Sequence, residues 1–128
     1  MRLDRVQGIA EICHAFRGGL ADACGPDALE NLLAVLEGRA DVFKISGEGA
    51  AATMQVSLIN GDELRVNALS GRIPSPWLCR DLWRQLAAAC GAKVIRGRVN
   101  GNERLAAMYK RMGATVDGTI YTLPVGGA

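Results

Sequence analysis

Several residue types are scarce in this 128-residue chain. Aromatics make up 5%, two each of Trp, Tyr and Phe, so the core has to be aliphatic. Histidine occurs once, and the four cysteines include no CxxC pair. That set lacks the ligand spacing of a zinc site, so no metal is expected. The longest uncharged apolar runs, such as 86–90, fall far short of the ~20 residues that span a bilayer. Met1-Arg2-Leu3-Asp4-Arg5 leads into no continuous apolar stretch, so no signal peptide is expected. Neither charge dominates. Fifteen Lys and Arg against thirteen Asp and Glu leave +2, too balanced to imply the basic footprint of a nucleic-acid binder. The cysteines then read as reduced thiols, and the expected location is cytoplasmic.

What is present is 49% hydrophobic and 22% charged, enough to bury a core in a single domain over 1–128. Cys13/Cys24 and Cys79/Cys90 are each separated by eleven residues. On a continuous helix such a pair shares a face about 16 Å apart, too far for a disulfide.

Val6, Ile9, Ile12, Cys13, Phe16 and Leu20 recur at helical spacing, with Gly18-Gly19 weakening the end. Pro26 suits the first position of a second helix, whose apolar stripe is Leu29, Leu32, Leu33 and Leu36 and whose stop is Gly38. The period then changes to two. Residues 42–45, 53–59 and 63–69 read as strands, with turns at Gly47/Gly49 and at Asn60-Gly61-Asp62. Ser75-Pro76 opens a third helix, with Leu78, Cys79, Leu82, Trp83, Leu86, Ala89 and Cys90 on its core face and Gly91 at its end. Residues 93–99 read as a strand. A fourth helix over 102–112 carries Leu105, Met108, Tyr109 and Met112 on one side and stops at Gly113. A hairpin around Asp117-Gly118 closes the chain. The order α-α-β-β-β-α-β-α-β-β implies an α/β protein with a mixed sheet.

This order, and the run from Val99-Asn100-Gly101-Asn102 through Tyr109 to Gly113-Ala114, resembles the GNAT N-acetyltransferase family. Asn102 and Tyr109 have the spacing of the family's penultimate helix, and Ala114 stands where Phe is usual. The resemblance implies a mixed, mostly antiparallel sheet flanked by about four helices. The family's first strand has no clear counterpart beyond residues 1–3. The resemblance also implies acetyl-CoA as donor, with its pyrophosphate on backbone N–H groups at the start of the third helix, a ready anion site. Here the corresponding stretch is Arg72-Ile73-Pro74-Ser75-Pro76-Trp77. Arg72 matches, Ser75 and Trp77 replace two small residues, and the two prolines remove N–H donors. A shifted register through Gly71 offers a single glycine. The cofactor-contacting candidates are therefore Gly71, Arg72, Ser75, Trp77 and Asn102, around a degenerate loop.

Tyr109 is the candidate catalytic residue, as acid for the departing thiolate, or else a packing residue. Asn102 contacts the cofactor or caps its helix. No general base stands out: Asp62 and Glu63 fall at the far end of their strand, Glu48 lies in a loop, and His14 reads as a surface residue. At 100° per residue Trp83 joins the core face, whereas Trp77 points toward Asp81, Arg84 and, less closely, Arg80, a setting suited to a partner contact or self-association, or else to an indole laid over a loop of its own chain. Two functions follow. One is a small acetyl-CoA-dependent N-acetyltransferase. The other is a non-catalytic GNAT-like binding or structural module. Short GNAT-like chains with a comparable ending and no intact glycine loop resemble internal virion proteins of short-tailed phages, which gives the virion as the alternative location.

Overall fold

The computed structural model describes residues 2–74, 76–98 and 103–125, with backbone alone for residues 76–79 and 105. Seven strands are hydrogen-bonded in the order β1-β2-β3-β4-β5-β7-β6. They are β1 (Arg2–Arg5), β2 (Asp41–Gly47), β3 (Ala50–Ile59), β4 (Glu63–Arg72), β5 (Val94–Arg98), β6 (Thr115–Asp117) and β7 (Ile120–Pro124). The helices are α1 (Ile9–Ala15), α2 (Ala21–Cys24), α3 (Ala28–Leu36), α4 (Pro76–Cys90) and α5 (Glu103–Arg111). The architecture is the mixed, mostly antiparallel sheet expected. One strand was not anticipated: β1 exists over Arg2–Arg5 and pairs antiparallel with β2 from Arg2↔Ser46 to Arg5↔Phe43.

Two compact units divide the chain. The first comprises Met1–Ser57 and Asn67–Ile73, the second Leu58–Val66 and Pro74–Ala128.

In the first unit β2 and β3 form an antiparallel hairpin in register from Asp41↔Val56 to Gly47↔Ala50. Glu48 and Gly49 turn it with φ of 55° and 83°, the left-handed pair that a two-residue hairpin needs. Val42 and Phe43 are consecutive and both buried, so both faces of β2 are covered. Val42 and Ala68 meet Ile12, Phe16, Leu20 and Val35 in one aliphatic cluster. The first helix breaks at its glycines, as expected: within the turn over Phe16–Leu20 Gly19 takes a non-helical φ of 136°, and it passes close to the Ser70 hydroxyl, which a Cβ there would have to displace. The same turn separates Cys13 from Cys24, which therefore do not share one continuous helix.

The leucine stripe of α3 is corrected in part. Val35 is buried and Leu32 packs half-buried against the core cluster, while Leu29, Leu33 and Leu36 are exposed at 69%, 44% and 40%. The helix turns this way because its inner edge has a polar anchor. Gln55, fully buried on β3, donates from Nε2 to the Asn31 carbonyl at 2.8 Å and receives the Cys24 thiol at 3.8 Å. Burying Gln55 without these bonds would cost about 1–3 kcal/mol. Burial also pushes the Cys24 thiol up from its ordinary value, with Asp27 adding to the rise and a bond to Asn31 opposing it.

In the second unit β4 runs parallel to β5 over Glu63↔Val94 to Arg65↔Arg96, the one parallel pairing among the described strands. β5 pairs antiparallel with β7, and β7 with β6. Leu82, Trp83, Leu86 and Ala87 of α4 are buried. Ala89, expected inside, is exposed, because Ala87 lies nearer the centre of the buried arc.

Three helices end the same way. Arg39 N–H returns to Ala34 O, Ala92 N–H to Ala87 O, and Ala114 N–H to Tyr109 O, at 2.8–3.0 Å. Each follows a left-handed glycine, Gly38, Gly91 or Gly113, as in a Schellman stop.

Gly71, near the end of β4, has φ 106°, and a Cβ there would strike the Ala51 carbonyl and the Ala52 Cα. Both obstacles are backbone and cannot step aside. Gly71→Ala is expected to destabilise the protein by about 2 kcal/mol or more, read as a lowered urea midpoint with an unchanged m-value.

Candidate functional site

The residues expected to touch a cofactor divide between the two units. Gly71 and Arg72 close β4 in the first. The structure gives Gly71 a packing role of its own, the close passage over Ala51 and Ala52. Arg72 is exposed, and its guanidinium donates to the Gly49 carbonyl at 3.3 Å, holding the β2–β3 turn. Ser75 and Asn102 lie outside the described residues. Trp77 belongs to the first turn of α4, and its side chain also lies outside them. Arg84 is exposed and Arg80 half-buried on the following turns.

Tyr109 belongs to the second unit and is 2% exposed. Its position follows from α5, where Tyr109, with Met112 just past the helix end, takes the buried side and Glu103, Arg104, Ala107, Lys110 and Arg111 face out. The ring lies flat against Tyr121, with centroids 3.7 Å apart and planes 11° from parallel. Tyr121 is itself 1% exposed. Across the ladder Tyr121 stands opposite Gly97, and any Cβ at Gly97 would meet the Tyr121 ring. Gly97, Tyr121 and Tyr109 thus form three successive layers from strand to helix. The sequence pointed to Tyr109 alone. The available signal for the rest was a glycine inside a predicted strand, which marks a close approach. This stack can orient a phenol in a dry setting, and it can equally serve as packing.

The carboxylates take structural partners. Glu63 is nearly buried, and its two oxygens receive Arg65 at 2.9 Å and Arg96 at 2.8 Å. With both oxygens engaged by guanidiniums, Glu63 is poorly placed to accept a substrate proton. The main-chain carbonyl of Asp62 accepts from Lys93 N–H at 2.7 Å and Val94 N–H at 3.3 Å. These bonds pin the start of β4 to the start of β5. His14 is exposed at the end of α1. Among the described residues no three His, Cys, Asp or Glu side chains gather into a metal site, and no helix is long and apolar enough to cross a membrane. Removing the clamp with Glu63→Ala should cost about 1–2 kcal/mol, since both arginines remain half-exposed and keep water. Thermal unfolding followed by tryptophan fluorescence measures it, and an unchanged Tm would deny the clamp a structural role.

No protein-family profile matches the chain, and no curated protein is detectably similar to it in sequence. Solved structures are similar in shape along nearly the whole length. The ribosomal-protein-S18-alanine N-acetyltransferase from Escherichia coli superposes with a TM-score of 0.70 at 15% identity, covering 99% of this chain and 95% of that one. A Bacillus subtilis acetyltransferase in complex with CoA gives 0.67 at 10% identity over 98% and 99%. The Campylobacter jejuni N-acetyltransferase PseH in complex with acetyl coenzyme A gives 0.61 at 11% identity over 99% of each. At such identities the likeness speaks for architecture. The element order, the sheet order and these superpositions agree: the chain has the fold of the GNAT N-acetyltransferases.

Proposed function

We propose that this chain uses the GNAT fold as a binding or structural module and does not turn over acetyl-CoA. The observation that carries this reading is the segment between β4 and α4. Pro74 and Pro76 flank Ser75 there, so two of the N–H groups that would hold a pyrophosphate are missing. Trp77 follows, where the family pattern has a small residue. Two features agree with it. Tyr109 is sealed under the Tyr121 ring, and Glu63 is saturated by Arg65 and Arg96. In this reading Trp77, Arg80 and Arg84 serve a protein partner, and a phage virion is the setting that the sequence resemblance offers.

The competing reading is an acetyl-CoA-dependent N-acetyltransferase, with Tyr109 as acid and the helix start at Ser75 as phosphate seat. It is favoured by the Asn102–Tyr109 spacing and by the CoA and acetyl-CoA present in two of the similar structures.

Calorimetric titration with acetyl-CoA separates the two. The expected result is no saturable heat at millimolar ligand and no thermal shift. A ligand at 100 times its Kd would add about 2.7 kcal/mol and raise Tm by several degrees. Micromolar one-site binding, or thiol release with an amine acceptor, overturns the module reading. Trp77→Gly adds a second arm. It should raise acetyl-CoA affinity if the indole crowds the site, and unchanged binding would move the cause to the prolines.

A further inference from the structure

Among the described strands β1 stands at one end of the sheet order and is hydrogen-bonded on one side, to β2. The ladder fixes which groups face the other side. The register continues past Arg5↔Phe43 to Val6, whose N–H donates to the Val42 carbonyl at 2.8 Å. In an antiparallel pair, residues that turn N–H and C=O toward the partner strand alternate with residues that turn both away. Val6, Asp4 and Arg2 therefore address β2, and Leu3 and Arg5 present their main-chain groups outward. An outward N–H and C=O pair is a template for another strand.

The side chains of β1 alternate between the two faces of the sheet. Arg2 and Asp4 share the face of Ser46 and Lys44, where they form an exposed ion pair at 2.8 Å. Leu3 and Arg5 share the face of Ile45 and Phe43, with the Arg5 guanidinium 5.6 Å from the centre of the Phe43 ring. Leu3 is half-buried beside the fully buried Ile45, so it carries apolar surface out to the strand edge.

A symmetric antiparallel contact between two β1 edges must set outward residues against outward residues. Its two-fold axis can therefore pass at Leu3, Asp4 or Arg5. An axis at Asp4 places two Asp4 carboxylates opposite each other, and an axis at Arg5 places two arginines so; like charges directly opposite are destabilising. An axis at Leu3 lays Leu3 on Leu3 and sets Arg2 of each copy opposite Asp4 of the other. The ion pair within each copy is kept, because every charge then has its opposite both along its strand and across from it. Charged edges ordinarily keep sheets apart. The order Arg2-Leu3-Asp4 is one that a two-fold axis turns into attraction.

We infer that β1 pairs antiparallel with β1 of a second copy of the chain, centred on Leu3, in a ladder that runs β2-β1-β1-β2. The contact is isologous and closes at two copies. So small an interface is transient, with a Kd on the order of 0.1–1 mM. It does not depend on whether acetyl-CoA binds.

Nuclear magnetic resonance of the nitrogen-15-labelled full chain tests this, over a range from about 0.05 to 2 mM that brackets such a Kd. The Leu3 and Arg5 amide signals should move with concentration and the Asp4 signal much less. The mass read from diffusion should rise from 13.6 kDa toward twice that value. Arg2→Asp and Asp4→Arg should each stay monomeric alone, with unchanged circular dichroism, because each edge then meets its own sign. Mixed, they should pair within about threefold of the wild-type affinity, since opposite signs meet again across the contact. Neither variant keeps the ion pair within its own strand, so pairing in the mixture reports the contact between copies. A wild type that is monomeric at 2 mM, association that survives either single substitution, or a mixture that stays monomeric overturns the assignment. A monomeric wild type whose Leu3 and Arg5 amides respond to an extended synthetic peptide also overturns it, giving the edge to a foreign strand.

Discussion

The parallel pairing of β4 with β5 is the constraint from which much of this topology follows. Antiparallel neighbours can be joined by two residues, as at Glu48-Gly49 and Asn60-Gly61, but parallel neighbours need a crossover. Helix α4 is that crossover, and its apolar side of Leu82, Trp83, Leu86 and Ala87 is the price of making it. The junction is short, three residues on each strand, so it is reinforced beyond the ladder. Glu63 draws Arg65 and Arg96 together above it, and the Asp62 carbonyl takes two N–H groups from the start of β5. A carboxylate that a functional search would examine first is thus explained by the demands of the sheet.

Glycine carries much of the remaining specification, by two mechanisms. At Gly38, Gly91 and Gly113 it supplies the left-handed residue that ends a helix. At Gly71 and Gly97 it supplies absence of volume, once for the neighbouring backbone and once for an aromatic ring. The second use ties fold to candidate site. The ring that fills the space above Gly97 is the one on which Tyr109 rests, so the environment of the phenol is set from the strand side.

Legibility in the sequence followed the strength of the local signal. The hairpins were readable because Asn60-Gly61 and Gly47-Glu48-Gly49 have few other uses. Helix ends were readable from their glycines. Strand β1 was not, since Arg2-Leu3-Asp4-Arg5 has a single apolar residue and is a strand by virtue of its pairing with β2. The stripe on α3 was recognised, but its direction was not. Four leucines span a wide arc, and the buried edge was chosen by Val35 and by a hydrogen bond from Gln55, twenty-four residues distant from Asn31. Tyr109 was found by spacing, whereas its partners Tyr121 and Gly97 became neighbours only through the β5–β7 register. Such non-local contacts leave no periodic trace.

The uneven placement of the few aromatic residues has an optical consequence. Trp77, Trp83, Tyr109 and Tyr121 all fall in the second unit, while the aromatic residues of the first are Phe16 and Phe43. Absorption near 280 nm and intrinsic emission above 300 nm therefore originate in one unit, and the other contributes to neither. A melting curve recorded by fluorescence reports from the second unit. The helices α1–α3, with the exposed leucine face, become visible only to amide probes such as far-ultraviolet dichroism or hydrogen exchange.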